Sequence, residues 1–589
     1  MDIISAREFA LATKLDKTNI RFLAPVLMRL LKLHQLNAVY AATQNLNGLE
    51  FIDGVLAQLG IQFEVDAKEL QHIPAHGAFI AIANHPYGGI DGLIFLKIMA
   101  SVRPDFKILA NKVLQKITNI EDYFIPVNPF KTHDQDNVPG LRKAMDLIHN
   151  DSPLGIFPGG EVSSLQVEED YKIIDPAWQP AVGRLISKAK VPVLPVYFTG
   201  SNSLSFNLLG LVHPLLRTAR LPAELFNKQG VCIKIRIGKP VPYNYLHGLP
   251  NADVLAYLRA KTYALGSSFF RPTVPAVFKN AFAPKPVLPE TDRAAILNDL
   301  KNLKTASCLL RHHQYAVYMA RQEEIPCVMR EIGRLRELTF REVGEGTLQE
   351  TDIDQYDAHY HHLFLFDHQA QLVVGAYRLG KGKEIYRKFG KSGFYLHSLF
   401  KMQPEFVPVL KQSIELGRSF IRPEYQKKTL PLLLLWKGIS MYLNGKLSYQ
   451  YILGPVSISN HFSRVSKALI VDFITHHFYD AGLAQYIKPR KKFRYRFSKH
   501  YPETLLQKNI QSLHSLDDLI AEIEPKHMGL PVLLKQYLKQ NARIIGFNID
   551  PKFSNALDGL MIMRVNDLPA ATACMLDRIP MPKDNSPEE

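Results

Sequence analysis

The chain has only four cysteines in 589 residues (Cys232, Cys308, Cys327 and Cys574), and none of them lies in a C-x-x-C spacing. That scatter argues against a disulfide framework and a thiolate zinc site, and makes a reducing, cytosolic compartment the expectation. No run of about 18 uninterrupted apolar residues occurs, so no segment is expected to span a bilayer. The opening residues MDIISAREFALATKLDK have neither the apolar core nor the small-residue cleavage site of a signal peptide. No internal repeat is visible at periods of roughly 20–50 residues.

Apolar side chains make up 47% of the chain and aromatic ones 10%, too many for disorder or low complexity. The length argues for two or more domains, each able to bury a core. Lys and Arg number 71 against 55 Asp and Glu, a formal charge of +16, and the excess is uneven. Residues 1–300 carry 31 basic and 26 acidic side chains, whereas residues 401–500 alone carry 17 and 5.

Five prolines between Pro272 and Pro289 cannot continue a helix or a central strand, and they predict an extended linker over 276–295. The expected division is a domain of residues 1–275, the linker, and a domain of residues 296–589. In the first half, short apolar runs (AFIAIAN, KILAN, LGIFPGG, VPVLPVYFTG, VCIKIRIGKP) alternate with helical stretches such as LRKAMDLIHN and AVGRLISKAK. The second half alternates likewise, with strands expected at YAVYMA, HLFLFD, LVVGAYRLG, SIELGRSFI and YQYILGPVS, and helices over 323–343 and 429–444. Both halves therefore read as α/β. Segment 20–40 spaces Arg29, Lys32 and His34 among leucines, as an interfacial amphipathic helix or an ordinary surface helix would.

The most informative peptide is Asn84-His85-Pro86-Tyr87-Gly88-Gly89-Ile90-Asp91-Gly92, directly after the buried-strand pattern FIAIA. A His and an Asp six positions apart around a Gly-Gly turn can fold back until the carboxylate meets one imidazole nitrogen. The other nitrogen is then a base facing a substrate hydroxyl. Here the chain resembles the glycerolipid acyltransferases, in the H-x5-D spelling of their hemolysin-like, ornithine-lipid branch. IPVNPF (125–130), IFPGGEVSS (156–164) and VPVLPVYFTG (191–200) follow in that family's order, over roughly residues 70–240. The resemblance implies that His85 deprotonates an acceptor hydroxyl, that Asp91 holds His85, and that an acyl thioester is attacked directly. Asn84, Gly159, Gly160 and Glu161 would lie about the substrate. The second and third blocks lack the Arg that pairs with an acceptor phosphate in the phosphate-reading members, which argues for an acceptor without one. Glu161 stands nearby, either to meet a cationic amino-acid head group or to bond its own turn.

In the second half, Leu335–Arg341, Asp352–Asp357, Val374–Leu379 and Ile414–Ser419 form an ordered set. It resembles the acyl-homoserine-lactone synthase and ornithine N-acyltransferase group, which share the GNAT core, over about residues 310–460. By that resemblance Glu415 is the base for an α-amino group, directly or through water. Arg378 and Arg418 orient acceptor and thioester, and Arg336 and Asp354 support them. A carboxylate desolvated on a sheet can have a raised pKa, which suits a base for an amine. RPEYQKKTLP (422–431) offers no Gly-rich loop for a pyrophosphate, so acyl carrier protein rather than coenzyme A is the expected donor. Asp357, His359, His361 and His362 read as structural, and no metal or cofactor beyond the acyl-carrier co-substrate is expected.

Residues 488–499 alternate cations with aromatics, a pattern shared by nucleic-acid sites, lipid surfaces, carrier-docking faces and plain solvated strands. Together the two resemblances describe a cytoplasmic enzyme of the fused ornithine lipid synthase kind, peripheral on the anionic inner face of the cell membrane. It would N-acylate ornithine with a 3-hydroxyacyl group and then O-acylate the new hydroxyl of the lyso-lipid. Glycine or another amino acid as head group is the nearest alternative. A membrane- or nucleic-acid-binding protein with degenerate acyltransferase domains is the alternative of another class; the intact His85/Asp91 and Glu415/Arg418 pairs count against it, and no nucleic-acid partner is expected.

Overall fold

A computed structural model describes residues 24–127, 138–166, 172–212, 214–269, 284–443, 448–495, 506, 510–525, 528–567 and 569. The chain forms two compact units, one of residues 1–270 with 496–528 and one of residues 271–495 with 529–589.

The first unit is built on strands β1 (Gln62–Val65), β2 (Ile80–Ala83), β3 (Lys107–Asn111), β4 (Phe124–Val127), β5 (Leu154–Ile156), β6 (Ser164–Gln166), β7 (Lys172–Ile174), β8 (Val193–Phe198) and β9 (Cys232–Ile237). Seven of them form one sheet in the order β1-β9-β8-β2-β5-β3-β4, with β6 and β7 a separate hairpin. Every neighbouring pair of the large sheet is parallel except β8 with β9. All four residues of β2 and all six of β8 are buried, as the unbroken apolar runs predict for strands covered on both faces. Parallel pairing has a consequence for function: β2, β5, β8 and β4 all point their carboxyl ends to one edge. The peptides beginning at Asn84, Phe157 and Thr199 therefore leave the sheet side by side, although 115 positions of sequence separate the first from the last.

The linear division places every residue after 295 in the second domain, but helix Leu513–Ile523 belongs to the first unit. Arg236 of β9 fastens it there. Its guanidinium donates to the carbonyls of Glu522 (2.9 Å) and Ile523 (3.1 Å), to Ser268, and to Glu69. Lys261 adds a buried ion pair with Glu522 at 2.6 Å. Charge networks of this kind leave no mark in composition.

The second unit contains β10 (Cys308–His312), β11 (Tyr315–Arg321), β12 (His361–Asp367), β13 (Leu372–Lys381), β14 (Phe400–Met402), β15 (Ser413–Ile421), β16 (Tyr451–Ile458), β17 (Ile487–Pro489), β18 (Arg543–Asp550) and β19 (Ala556–Arg564). Eight of them form a sheet in the order β10-β11-β12-β13-β15-β16-β19-β18, and β14 pairs with β17. All its ladders are antiparallel except β15 with β16. That parallel pair holds only from Ser413/Tyr451 to Glu415/Leu453, after which both strands continue unpaired with each other. Gly417 lies just past the parting point, and a Cβ there would meet nothing within 4 Å. The next residue, Arg418, has φ of 50° at an irregularity in the β13–β15 ladder. A left-handed backbone at a non-glycine residue within a strand re-aims its side chain.

Helices Pro326–Glu342 and Leu430–Leu443 match their predicted spans to within three residues. Residues 284–292 of the proline-rich segment carry no helix or strand, with Lys285 and Leu288 donating to the carbonyls of Leu348 and Glu350, and helix Arg293–Asn302 begins inside the span expected as linker; residues 276–283 lie outside the described residues.

Candidate active sites

The first site sits at the carboxyl end of β2. Gly88, at φ of 100°, turns the chain into helix Gly89–Val102, which brings Asp91 into the first helical turn. There its carboxylate accepts the N–H groups of Tyr87 (2.9 Å) and Gly92 (3.0 Å), and Oδ2 lies 3.1 Å from His85 Nδ1. Asp91 is fully buried at a helix N-terminus, where the peptide dipoles favour its charge. Burial works against a charged His85, but the Asp91 carboxylate, with a smaller contribution from Asp175, holds the imidazole above the ordinary histidine value. The ring stacks on Phe157 at a centroid distance of 4.0 Å.

Asp175 is a component that no motif announces. Its carboxylate accepts the His85 N–H at 3.0 Å, the Ser163 hydroxyl, and the Trp178 indole N–H at 3.2 Å. The Ser163 N–H in turn donates to the His85 carbonyl at 2.8 Å, so the His85 peptide is gripped at both ends.

His85 opens on a cavity of about 690 Å³ whose lining is overwhelmingly apolar, including Leu36, Val39, Phe51, Leu93, Ile120 and Leu225. Gly160 and Glu161 also line it, whereas Gly159 packs against Asp175. Asn84, expected near the substrate, is turned elsewhere. Its side-chain amide donates to the Phe198 carbonyl (2.9 Å) and accepts the Phe198 N–H (2.7 Å), splicing the end of β2 to the end of β8. It does not line the cavity. Glu161 pairs with Arg217 at 2.6 Å, a residue of helix Pro214–Phe226 that follows the third block by more than fifty positions. Of the block IPVNPF, Ile125–Val127 form the end of β4, and residues 128–130 lie outside the described set.

The second site is a buried charge network spread over β13, β15, helix Pro326–Glu342 and the segment leading into β12. Glu415, at the last paired position before β15 and β16 part, accepts the Tyr360 hydroxyl (2.6 Å) and the Leu396 N–H (3.0 Å). Burial pushes its pKa up to about 7, against the lowering effects of Tyr360 and Arg378. Arg378 pairs with Asp354 (2.6 Å) and Asp357 (3.4 Å), Arg336 with Asp357 (2.9 Å), and Arg418 with Asp352 (2.9 Å) and Asp354 (3.5 Å). All five residues singled out from the sequence in this half (Arg336, Asp354, Arg378, Glu415 and Arg418) thus converge. Sequence reasoning missed Tyr360 and Tyr395, over whose rings the Arg378 guanidinium stands at 5.3 and 5.1 Å. It also missed Asp352 as the counter-ion of Arg418.

The nearby histidines have separate protein partners. His359 Nε2 meets the Gly393 carbonyl at 2.9 Å, while His362 lies between Arg336 and the Asp357 carbonyl. Burial pulls the His362 pKa down to about 4. In the basic segment, the described cations Lys488, Arg490, Lys491, Lys492 and Arg494 are exposed; residues 496–499 lie outside the described set.

Comparisons with known proteins match a different transferase model to each half of the chain. An acyltransferase family model matches residues 3–270, and an acetyltransferase (GNAT) domain model matches residues 335–436. The chain is an acyltransferase with two transferase domains. It is similar to a glycine N(alpha)-acyltransferase of Phocaeicola vulgatus, 29% identical over 267 residues, covering 43% of this chain and 80% of the relative. It is also similar to a lyso-glycine lipid O-acyltransferase of the same organism, 25% identical over 230 residues, covering 38% and 80%. A solved 1-acyl-sn-glycerophosphate acyltransferase from Thermotoga maritima overlaps 38% of this chain and 80% of its own at 17% identity, with a TM-score of 0.26. The pairing of domains fits a two-domain aminolipid synthase.

Proposed function

We propose that the chain makes an aminolipid in two acyl transfers, the second unit acting first. A 3-hydroxyacyl group passes from acyl carrier protein to the α-amine of an amino acid, with ornithine the leading acceptor. Glu415, directly or through a water, takes the proton from the ammonium. The freed nitrogen attacks the thioester carbonyl, the C–S bond breaks, and the second proton that the nitrogen sheds on becoming an amide goes to the departing carrier thiolate. The gap between β15 and β16 beyond Glu415 is where a thioester arm would enter, with Arg378 and Arg418 beside it.

The first unit then acylates the hydroxyl carried in on that chain. His85 takes the hydroxyl proton, the oxygen attacks a second acyl thioester, and the imidazolium returns the proton to the departing thiolate. Asp91 stabilises the imidazolium in between. The observation that carries this reading is His85, paired with Asp91, opening on a cavity lined mostly by apolar side chains, a site suited to an acyl chain with a hydroxyl at its reacting end.

Glycine as head group is the second reading, favoured by the names of the relatives. Incubating the purified chain with 3-hydroxyacyl carrier protein and either ornithine or glycine tests the choice. Faster formation of N-acylornithine supports the first reading, and faster formation of N-acylglycine replaces it.

Attachment to the cytoplasmic, anionic face of a membrane belongs to the same proposal. Among the described residues no helix is long and apolar enough to cross a membrane. Helix Leu204–Val212 instead exposes Leu204 (68%), Leu208 (50%) and Leu211 (52%) on one face.

A further inference from the structure

The cavity beside His85 is apolar apart from a few groups, and among the described residues lining it Arg217 is the one permanent cation. We infer that Arg217 is the specificity-determining residue that takes the carboxylate of the acceptor's amino-acid head group. The inference rests on the O-acylation reading above and names the acceptor feature that reading leaves open.

Three observations lead there. Arg217 reaches the cavity from helix Pro214–Phe226, far in sequence from the motif blocks, and its guanidinium is fixed rather than free. One terminal nitrogen donates to Ser164 Oγ at 2.6 Å and the other to Glu161 Oε2 at 2.6 Å. Second, the side chain is only 14% exposed, so its charge acts through little water. Third, a guanidinium carries five N–H donors, and these two contacts engage two of them, which leaves the fork able to accept another anion. An N-acyl amino acid offers one: its α-amine is consumed by the amide, while its carboxylate remains.

Glu161 is then the resting counter-ion. It holds the Arg217 side chain in place in the empty site, and it competes with the arriving carboxylate. This gives the two partners of one ion pair opposite expected phenotypes, which a purely structural strut would not.

The test compares O-acylation of two acceptors by the full chain with an acyl carrier protein thioester as donor. One acceptor is the better used of N-(3-hydroxyacyl)ornithine and N-(3-hydroxyacyl)glycine; the other is its primary carboxamide. The wild type is expected to favour the acid by about tenfold or more in kcat/KM, a difference of one charge-assisted contact. Arg217→Gln is expected to abolish that preference by raising KM for the acid alone, Arg217→Lys to retain part of it, and Glu161→Gln to lower KM for the acid. Equal use of acid and amide by the wild type, equal loss of both in Arg217→Gln, or the same loss in Glu161→Gln would each overturn the inference while leaving O-acylation standing. Failure of the wild type to acylate either acceptor would overturn the O-acylation reading itself and this inference with it.

Discussion

His85 Nδ1 lies 3.1 Å from Asp91 Oδ2, and the same carboxylate oxygen accepts the Tyr87 N–H. The carboxylate is thus held by the turn it helps to form. The imidazole has one nitrogen occupied and the other available to a hydroxyl in the cavity.

Replacing Asp91 with Asn keeps the shape and removes the charge. Because Asp91 raises the His85 pKa, the acid limb of the O-acylation pH profile is expected to move to lower pH in Asp91→Asn. The plateau rate should fall by about 10²–10⁴-fold as the positioned base and its stabilised imidazolium are lost. A kcat/KM profile for the hydroxylated acceptor checks both signs.

The proposed N-acylation site is expected to titrate differently. Glu415, raised to about 7 by burial, must be ionised to accept a proton, so the rate should fall as pH drops through about 7. Tyr360 donates to the carboxylate and lowers its pKa, so Tyr360→Phe should shift the limb upward. A downward shift would contradict the assignment of Glu415 as the base.

Stability of the first unit is expected to depend on Arg236, whose guanidinium is shared among Glu69, Ser268 and the carbonyls near the end of helix Leu513–Ile523. Arg236→Met leaves the buried Glu69 carboxylate without its cation and should cost about 3–5 kcal/mol. A lowered unfolding transition, with faster proteolysis within residues 510–525, is the expected readout.

Leu204, Leu208 and Leu211 recur on one face of their helix, and all three are exposed among the described residues. Replacing all three with Ser should leave the fold intact and weaken sedimentation with anionic vesicles by roughly tenfold, given about 25 cal/mol per Å² of apolar surface withdrawn from water. Unchanged sedimentation would place membrane contact elsewhere.

How much of this was legible in the sequence follows from how each residue reaches its site. His85 and Asp91 share one turn, so local spacing was enough to pair them. The peptides at 156–164 and 191–200 could be ordered but not placed, since only parallel pairing of β5 and β8 with β2 sets them beside His85. Asp175 and Arg217 arrive from segments with no motif of their own, so their contacts with His85 and Glu161 are purely tertiary. Asn84 shows the converse: its place in the motif suggested substrate contact, whereas its amide closes the gap between two strand ends. In the second unit the arginines and Asp354 were singled out, whereas Asp352 stood only as part of its peptide and Asp357 only among structural residues, because their ion pairs with Arg418 and Arg336 are tertiary. The return of residues 513–523 to the first unit depends on Arg236 and Lys261, single cations that no charge count distinguishes.

The division of labour between the two units is tested most directly by the lipids of a host that makes no aminolipid of its own. Mass spectrometry of such a host expressing the chain should show a ninhydrin-positive, phosphorus-free lipid with two acyl chains. Glu415→Ala should remove it entirely, and His85→Ala should leave only the mono-acylated form. An unchanged di-acylated lipid in His85→Ala would contradict the account.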